Sequence, residues 1–145
     1  MVVENDKCIP KVGSERAAGM DLRANVKSAL GFLVLEKNEA VQFGTGVRVQ
    51  IPEGWVGLVM PRSGLGFKYE VKLVNTTGVI DSDYTGEIQV KIRNGNEKEM
   101  VIEDFSRICQ MVIVPHYKLY DNIEIVDELI STERGEKGFG STGTK

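Results

Sequence analysis

The sequence predicts an all-β fold with little helix. Three observations carry this: apolar side chains recur mostly every second residue, glycine and proline cut the pattern at short intervals, and helical spacing is scarce. Gly31 to Gln42 and Thr45 to Ile51 read as strands, and Pro52, Glu53 and Gly54 turn the chain into a strand from Trp55 to Met60. Val71 to Asn75 is a further candidate. Ile88, Val90 and Ile92 alternate with Gln89, Lys91 and Arg93, and Asn94, Gly95 and Asn96 supply turn chemistry before Met100 and Ile102, which predicts a hairpin. Arg107 to Val114 places Ile108, Val112 and Val114 on one face and Cys109, Met111 and Ile113 on the other, the pattern of a strand covered on both sides. Gln110 then falls on an apolar face, where an amide without a partner costs about 1–3 kcal/mol, so a bond to neighbouring backbone is expected. Glu124 to Ile130 has the spacing of a short helix or, nearly as well, of a strand.

With 145 residues, 41% of them apolar, the chain can bury one core, and a single globular domain is expected. The net charge of −3 comes from 21 acidic and 18 basic residues spread along the whole length, which disfavours a nucleic-acid partner. No run of ~18 apolar residues occurs and Met1 to Pro10 lacks a signal-like apolar stretch, so the expectation is a cytoplasmic protein without a membrane partner. Cys8 and Cys109 stand far apart and outside metal-binding spacings, consistent with two buried, reduced thiols. His116 is the only histidine, which argues against a His-based metal cluster and leaves carboxylates as the natural proton carriers of any enzyme here.

Four segments carry candidate chemistry. Gly78 to Glu87 reads GVIDSDYTGE; Asp81 and Asp83 share a face if the chain is extended, while in a turn Asp83 caps backbone instead. Val79 and Ile80 would wall Asp81 with apolar surface, a setting for a general base. Pro61 to Gly66, PRSGLG, follows a strand and offers the Arg62 guanidinium, the Ser63 hydroxyl and the Ser63 and Gly64 amides to a phosphate; the alternative is a plain β-turn. In Ala17 to Ala24, AAGMDLRA, Asp21 is either a cation ligand or a turn cap. The last twelve residues, RGEKGFGSTGTK, hold four glycines with Arg134, Phe139 and three hydroxyls, which suits a segment that orders over a phosphate and a base, or else a frayed end. GFGSTGTK is no P-loop, because lysine and hydroxyl are in the wrong order and no helix follows.

AAGMDLRA, PRSGLG, GVIDSDYTGEI, RICQ and RGEKGFGSTG, in this order over residues 17 to 143, resemble the five ordered motifs of the trimeric dUTP pyrophosphatases (dUTPases). The resemblance implies a distorted jelly-roll-like β-barrel over residues 1–132, a flexible glycine-rich C-terminal arm over 133–145, and a homotrimer with shared active sites. It implies Mg²⁺-dependent hydrolysis of dUTP to dUMP and pyrophosphate, limiting uracil in DNA and supplying dUMP for thymidylate synthesis. By the same resemblance, Asp81 activates water for attack at the α-phosphorus, and Asp21 and Gln110 hold the metal through water. Arg62, Ser63, Gly64 and Gln110 contact phosphates, Asn75 with the backbone of Gly78, Val79 and Ile80 reads uracil, and Tyr84 lies beneath the deoxyribose. Phe139 covers the base while Arg134, Gly140, Ser141 and Thr142 close over the phosphates. Cys109 stands where relatives usually have alanine, and Lys68, Tyr69 and Glu70 where they often have a glycine. For a virus-borne chain the compartment becomes the host cytoplasm.

Two other readings compete. A dCTP deaminase shares the fold but not the full motif set, and dCTP turnover separates the two. A nucleotide-responsive regulator would bind a protein partner in a dUTP-dependent way, which pull-down with and without dUTP detects.

Overall fold

The computed structural model describes residues 1–138. Eleven strands, one short α-helix and a 3-10 turn at Asp6–Cys8 are described: β1 (Val2–Val3), β2 (Lys11–Val12), β3 (Gly19–Arg23), β4 (Phe32–Leu35), β5 (Ala40–Arg48), β6 (Trp55–Pro61), α1 (Ser63–Tyr69), β7 (Lys72–Leu73), β8 (Gly78–Ile80), β9 (Glu87–Arg93), β10 (Met100–Glu103) and β11 (Arg107–Pro115). A five-stranded sheet runs β2-β3-β11-β6-β8, a four-stranded sheet β1-β5-β9-β7, and β10 pairs with β4 alone. Every pairing is antiparallel, and the fold is jelly-roll-like, with sheets that do not close into one hydrogen-bonded barrel. Leu22, Leu35, Val47, Val59, Ile88, Ile92, Ile102, Ile108 and Met111 fill the space between the sheets. Among the described residues no helix is long and apolar enough to cross a membrane.

Alternation is clearest in β9, where Ile88, Val90 and Ile92 are buried and Gln89, Lys91 and Arg93 are exposed. The predicted hairpin does not form, because β9 pairs with β5 and β7 while β10 pairs with β4 in another sheet. Buried Asn94 explains the departure: its side-chain amide donates to the carbonyls of Leu35 at 3.0 Å and Lys98 at 2.8 Å, and its N–H donates to the Glu39 carbonyl at 3.0 Å. Asn94 therefore ties three segments together, and the chain crosses between sheets at that point.

Other boundaries also move. Gly31 to Gln42 is two strands, β4 and β5, separated by a turn in which Asn38 has φ 62° and the Glu36 N–H donates to the Glu39 carboxylate. Only Thr45 to Arg48 of the second candidate is strand, though Val49 and Ile51 beyond it remain buried. Val71 to Asn75 shrinks to β7 and then turns through Thr76 at φ 66°. Residues 124–130 are neither helix nor strand. In β11 a bulge between Arg107 and Cys109 turns Ile108 into the core with Cys109 and Met111, while Gln110 and Val112 face outward and are half-buried.

Candidate active site

The five-stranded sheet assembles the first cluster. Asp21 on β3 lies opposite Gln110 on β11, which lies opposite Met60 on β6, and β6 ends one residue before Arg62. Helix α1 starts at Ser63, so the first-turn amides of Ser63 and Gly64 have no intrahelical acceptor. PRSGLG is thus a strand-to-helix junction, where the sequence suggested a loop or β-turn. Gly13, Ala17, Ala18, Gly19, Asp21, Arg62, Ser63, Gly64, Gln110 and Val112 line one pocket. Three of the five resemblance motifs, AAGMDLRA, PRSGLG and RICQ, meet here.

Asp21 is held between two guanidiniums. Arg62 Nε donates to Oδ1 at 2.9 Å and Arg107 Nη1 to Oδ2 at 3.1 Å, and Arg62 also donates to the Arg107 carbonyl at 3.0 Å. The Asp21 side chain is only 14% exposed, so these charge-assisted bonds fix it. Asp21 lies within β3 and caps no turn, and arginines engage its carboxylate on both oxygens. Arg107 is a residue that the sequence reading missed; the available signal was its place at the head of RICQ. Gln110 Nε2 donates to the Pro61 carbonyl at 3.0 Å, the expected backbone bond, and this leaves Oε1 beside Gly19. A Cβ at residue 19 would stand 2.8 Å from that oxygen, so glycine there is what admits the amide. Next to the cluster, burial and then the Asp21 charge push the Cys109 thiol up to about 12, which keeps it protonated. Both cysteines are buried and free.

A second cluster lies at the other end of the same sheet. β8 pairs with β6 so that Gly78 faces Val59 and Ile80 faces Gly57, which sends Asp81 away from Arg62. Strand rise and spacing put Asp81 roughly 20 Å from Asp21 within one chain. Asp81 opens a turn closed by the Tyr84 N–H donating to its carbonyl at 3.2 Å, so Asp81 and Asp83 do not share the face of a strand. The apolar wall expected around Asp81 is not built within one chain, since Val79 is 62% exposed and Asp81 itself is exposed. Asn75 is exposed in the turn before β8, its amide donating to the Thr77 carbonyl at 3.3 Å. Tyr84 is 43% exposed and donates its hydroxyl to the Glu87 carbonyl at 2.8 Å.

Arg134 belongs to neither cluster; its Nε donates to the Lys137 carbonyl at 3.0 Å in an exposed turn where Gly135 has φ 53°. Phe139, Gly140, Ser141 and Thr142 lie outside the described residues. Before that turn, Tyr120, Ile125, Leu129 and Ile130 are each close to fully exposed, an apolar segment with no partner surface among the described residues.

Fold and site define an antiparallel jelly-roll protein with a pocket lined by Asp21, Arg62 and Gln110 at one end of a sheet and a carboxylate turn at the other. The dUTPase family model matches residues 5–143, and the chain belongs to the dUTPase family. It is 49% identical over 140 residues to a deoxyuridine 5'-triphosphate nucleotidohydrolase of Escherichia phage T5, covering 95% of this chain and 93% of that one. It is 44% identical over 137 residues to the enzyme of the same name from Fusobacterium nucleatum, covering 93% and 89%. The dUTPase of Staphylococcus bacteriophage 80alpha, solved with dUPNHPP, superposes with a TM-score of 0.83 at 31% identity, covering 97% of this chain and 95% of that chain.

Proposed function

We propose that this chain hydrolyses dUTP to dUMP and pyrophosphate in active sites shared between copies of a homotrimer. The observation that carries the shared site is the separation of Asp81 from the Asp21, Arg62 and Gln110 pocket at opposite ends of β6. A triphosphate spans far less than roughly 20 Å, so a base and a phosphate cradle that serve the same α-phosphorus come from different chains. The unpartnered apolar segment around Tyr120, Ile125 and Leu129 supports the assembly, since such surface is ordinarily covered by a partner.

At the reacting centre Asp81 takes the proton of a water as its oxygen attacks the α-phosphorus in line. The bond from that phosphorus to the bridging oxygen breaks, and pyrophosphate leaves. Arg62, Ser63 and Gly64 hold phosphate oxygens by charge-assisted and amide bonds, and Arg107 keeps Asp21 aligned. Asn75 and the backbone of Gly78, Val79 and Ile80 bond the uracil edge, where a cytosine would present a donor against a donor. Tyr84 lies under the deoxyribose and leaves no room for a 2′-hydroxyl.

The donor set suits Mg²⁺. Asp21 is the pocket's one carboxylate and no group of three acidic, histidine or cysteine ligands occurs among the described residues, so a cage made only of protein ligands is not what this chain offers. Mg²⁺ keeps several waters and is ordinarily held by one or two carboxylates with substrate phosphates, and Asp21 and Gln110 would hold it through water. When bound it would neutralise phosphate charge.

Residues 1–132 act as the catalytic β domain and 133–145 as an arm, with Arg134, Phe139, Gly140, Ser141 and Thr142 closing over base and phosphates. The work is done on the free nucleotide pool of the cytoplasm, the host's if the chain is viral. It limits uracil in DNA and provides dUMP for thymidylate synthesis. Coupled phosphate release across dUTP, dTTP, dCTP and UTP tests the assignment: turnover selective for dUTP is expected, and ammonia from dCTP would overturn it.

A further inference from the structure

Glu87 ends the GVIDSDYTGE segment, yet nothing in the reaction uses it. It begins β9, facing a wide bulge in β5: Gly44 pairs with Gln89 and Arg48 with Glu87, so three residues of β5 oppose Ile88 alone. Inside the bulge Thr45 donates to the Ile88 carbonyl at 2.8 Å, and Gly46, at φ 68°, donates its N–H to Glu87 Oε1 at 2.7 Å. The carboxylate has room only because residue 44 is glycine, where a Cβ would stand 2.1 Å from Oε1. The neighbouring carboxylate of Glu4 is already taken by Asn25 at 2.7 Å and Lys27 at 3.0 Å.

The other side of Glu87 faces the substrate turn. Its carbonyl accepts the Tyr84 hydroxyl at 2.8 Å, and the tyrosine ring lies so close to Gly86 that a Cβ there would meet the hydroxyl oxygen at 2.6 Å. Tyr84 in turn closes the Asp81 turn through its N–H. Three hydrogen bonds therefore run in series from the β5 bulge to the candidate base.

We infer that Glu87 is a positioning residue for sugar selectivity: its carboxylate fastens the start of β9 to the Gly46 amide and thereby sets the height of the Tyr84 ring against the nucleotide sugar. This rests on the reading that Tyr84 excludes a 2′-hydroxyl. Shortening the side chain lets the ring drop, and a ribonucleotide is then admitted as deoxyribonucleotide turnover falls. Simple loss of folded enzyme lowers both rates equally and leaves their ratio untouched, so the ratio isolates positioning.

The test is the kcat/KM ratio for dUTP over UTP in the full chain, with wild type, Glu87→Asp and Glu87→Gln compared. Both substitutions are small enough to keep the fold. Glu87→Asp cannot reach the Gly46 N–H, and its ratio should fall roughly tenfold or more. Glu87→Gln keeps an acceptor oxygen at full length, and its ratio should stay within about twofold of wild type. A ratio unchanged in Glu87→Asp, or reduced as far in Glu87→Gln, overturns the role of the carboxylate. A wild type that turns over dUTP without preferring it to UTP overturns the reading of Tyr84 as well.

Discussion

The two ends of β6 are built differently. At one end Asp21, Arg62 and Arg107 are bonded to one another, Gln110 is tied to the Pro61 carbonyl, and the group is largely fixed before any ligand arrives. At the other, Asn75, Asp81 and Tyr84 sit on exposed turns, and Asp81 has no wall around it. The difference teaches where preorganisation comes from: the Arg62 end is complete within one chain, while the Asp81 end, in the proposed trimer, would acquire its surroundings from other chains and from the nucleotide.

The largest effect should come from the open end. Asp81→Asn should cut turnover about 10²–10⁴-fold while calorimetric titration still detects dUTP binding; turnover equal to wild type would remove Asp81 as the base. Truncation after Thr132 should lower turnover at least roughly a hundredfold, with oligomeric state and melting temperature unchanged by light scattering and calorimetry. Full activity in that variant would deny the arm any part in closure. At the closed end, Arg107→Ala frees one Asp21 oxygen and should raise KM for dUTP about tenfold, leaving kcat less affected in steady-state assays. Gly19→Ala pushes against Gln110 Oε1 and should cost about threefold in kcat/KM, because the amide tip can give way.

The smallest effect lies outside both ends and serves as their control. Glu70 closes α1 at φ 53°, a left-handed conformation that favours glycine. Glu70→Gly should stabilise the fold by about 0.5–1 kcal/mol without changing the dUTP rate, measured by urea denaturation and the same assay.

Strands whose signal is local were legible: β6, β9 and β11 follow from alternation in their own residues. What failed depended on distant partners. The hairpin after β9 was lost to Asn94, whose bonds to Leu35 and Glu39 span more than fifty residues of sequence. α1 could not be read because Ser63, Gly64 and Gly66 are poor helix formers, and the segment is helical in its folded setting. Asp21, Arg62, Ser63, Gly64 and Gln110 were singled out from three short motifs, but only strand register brings them to one pocket. That same register separates them from Asp81, which no periodicity argument reveals. Glu87 was passed over because its partner, Gly46, belongs to an irregular bulge forty-one residues away.

Complementation tests the shared site most directly. Asp81→Asn and Arg62→Ala chains, each inactive alone, are co-expressed with different tags and the doubly tagged trimers isolated. Sites that take their base from one chain and their phosphate cradle from another should leave about one site in three intact, with dUTP hydrolysis restored to that fraction of wild type. Mixed trimers as inactive as their parents would place base and cradle in the same chain and contradict the account.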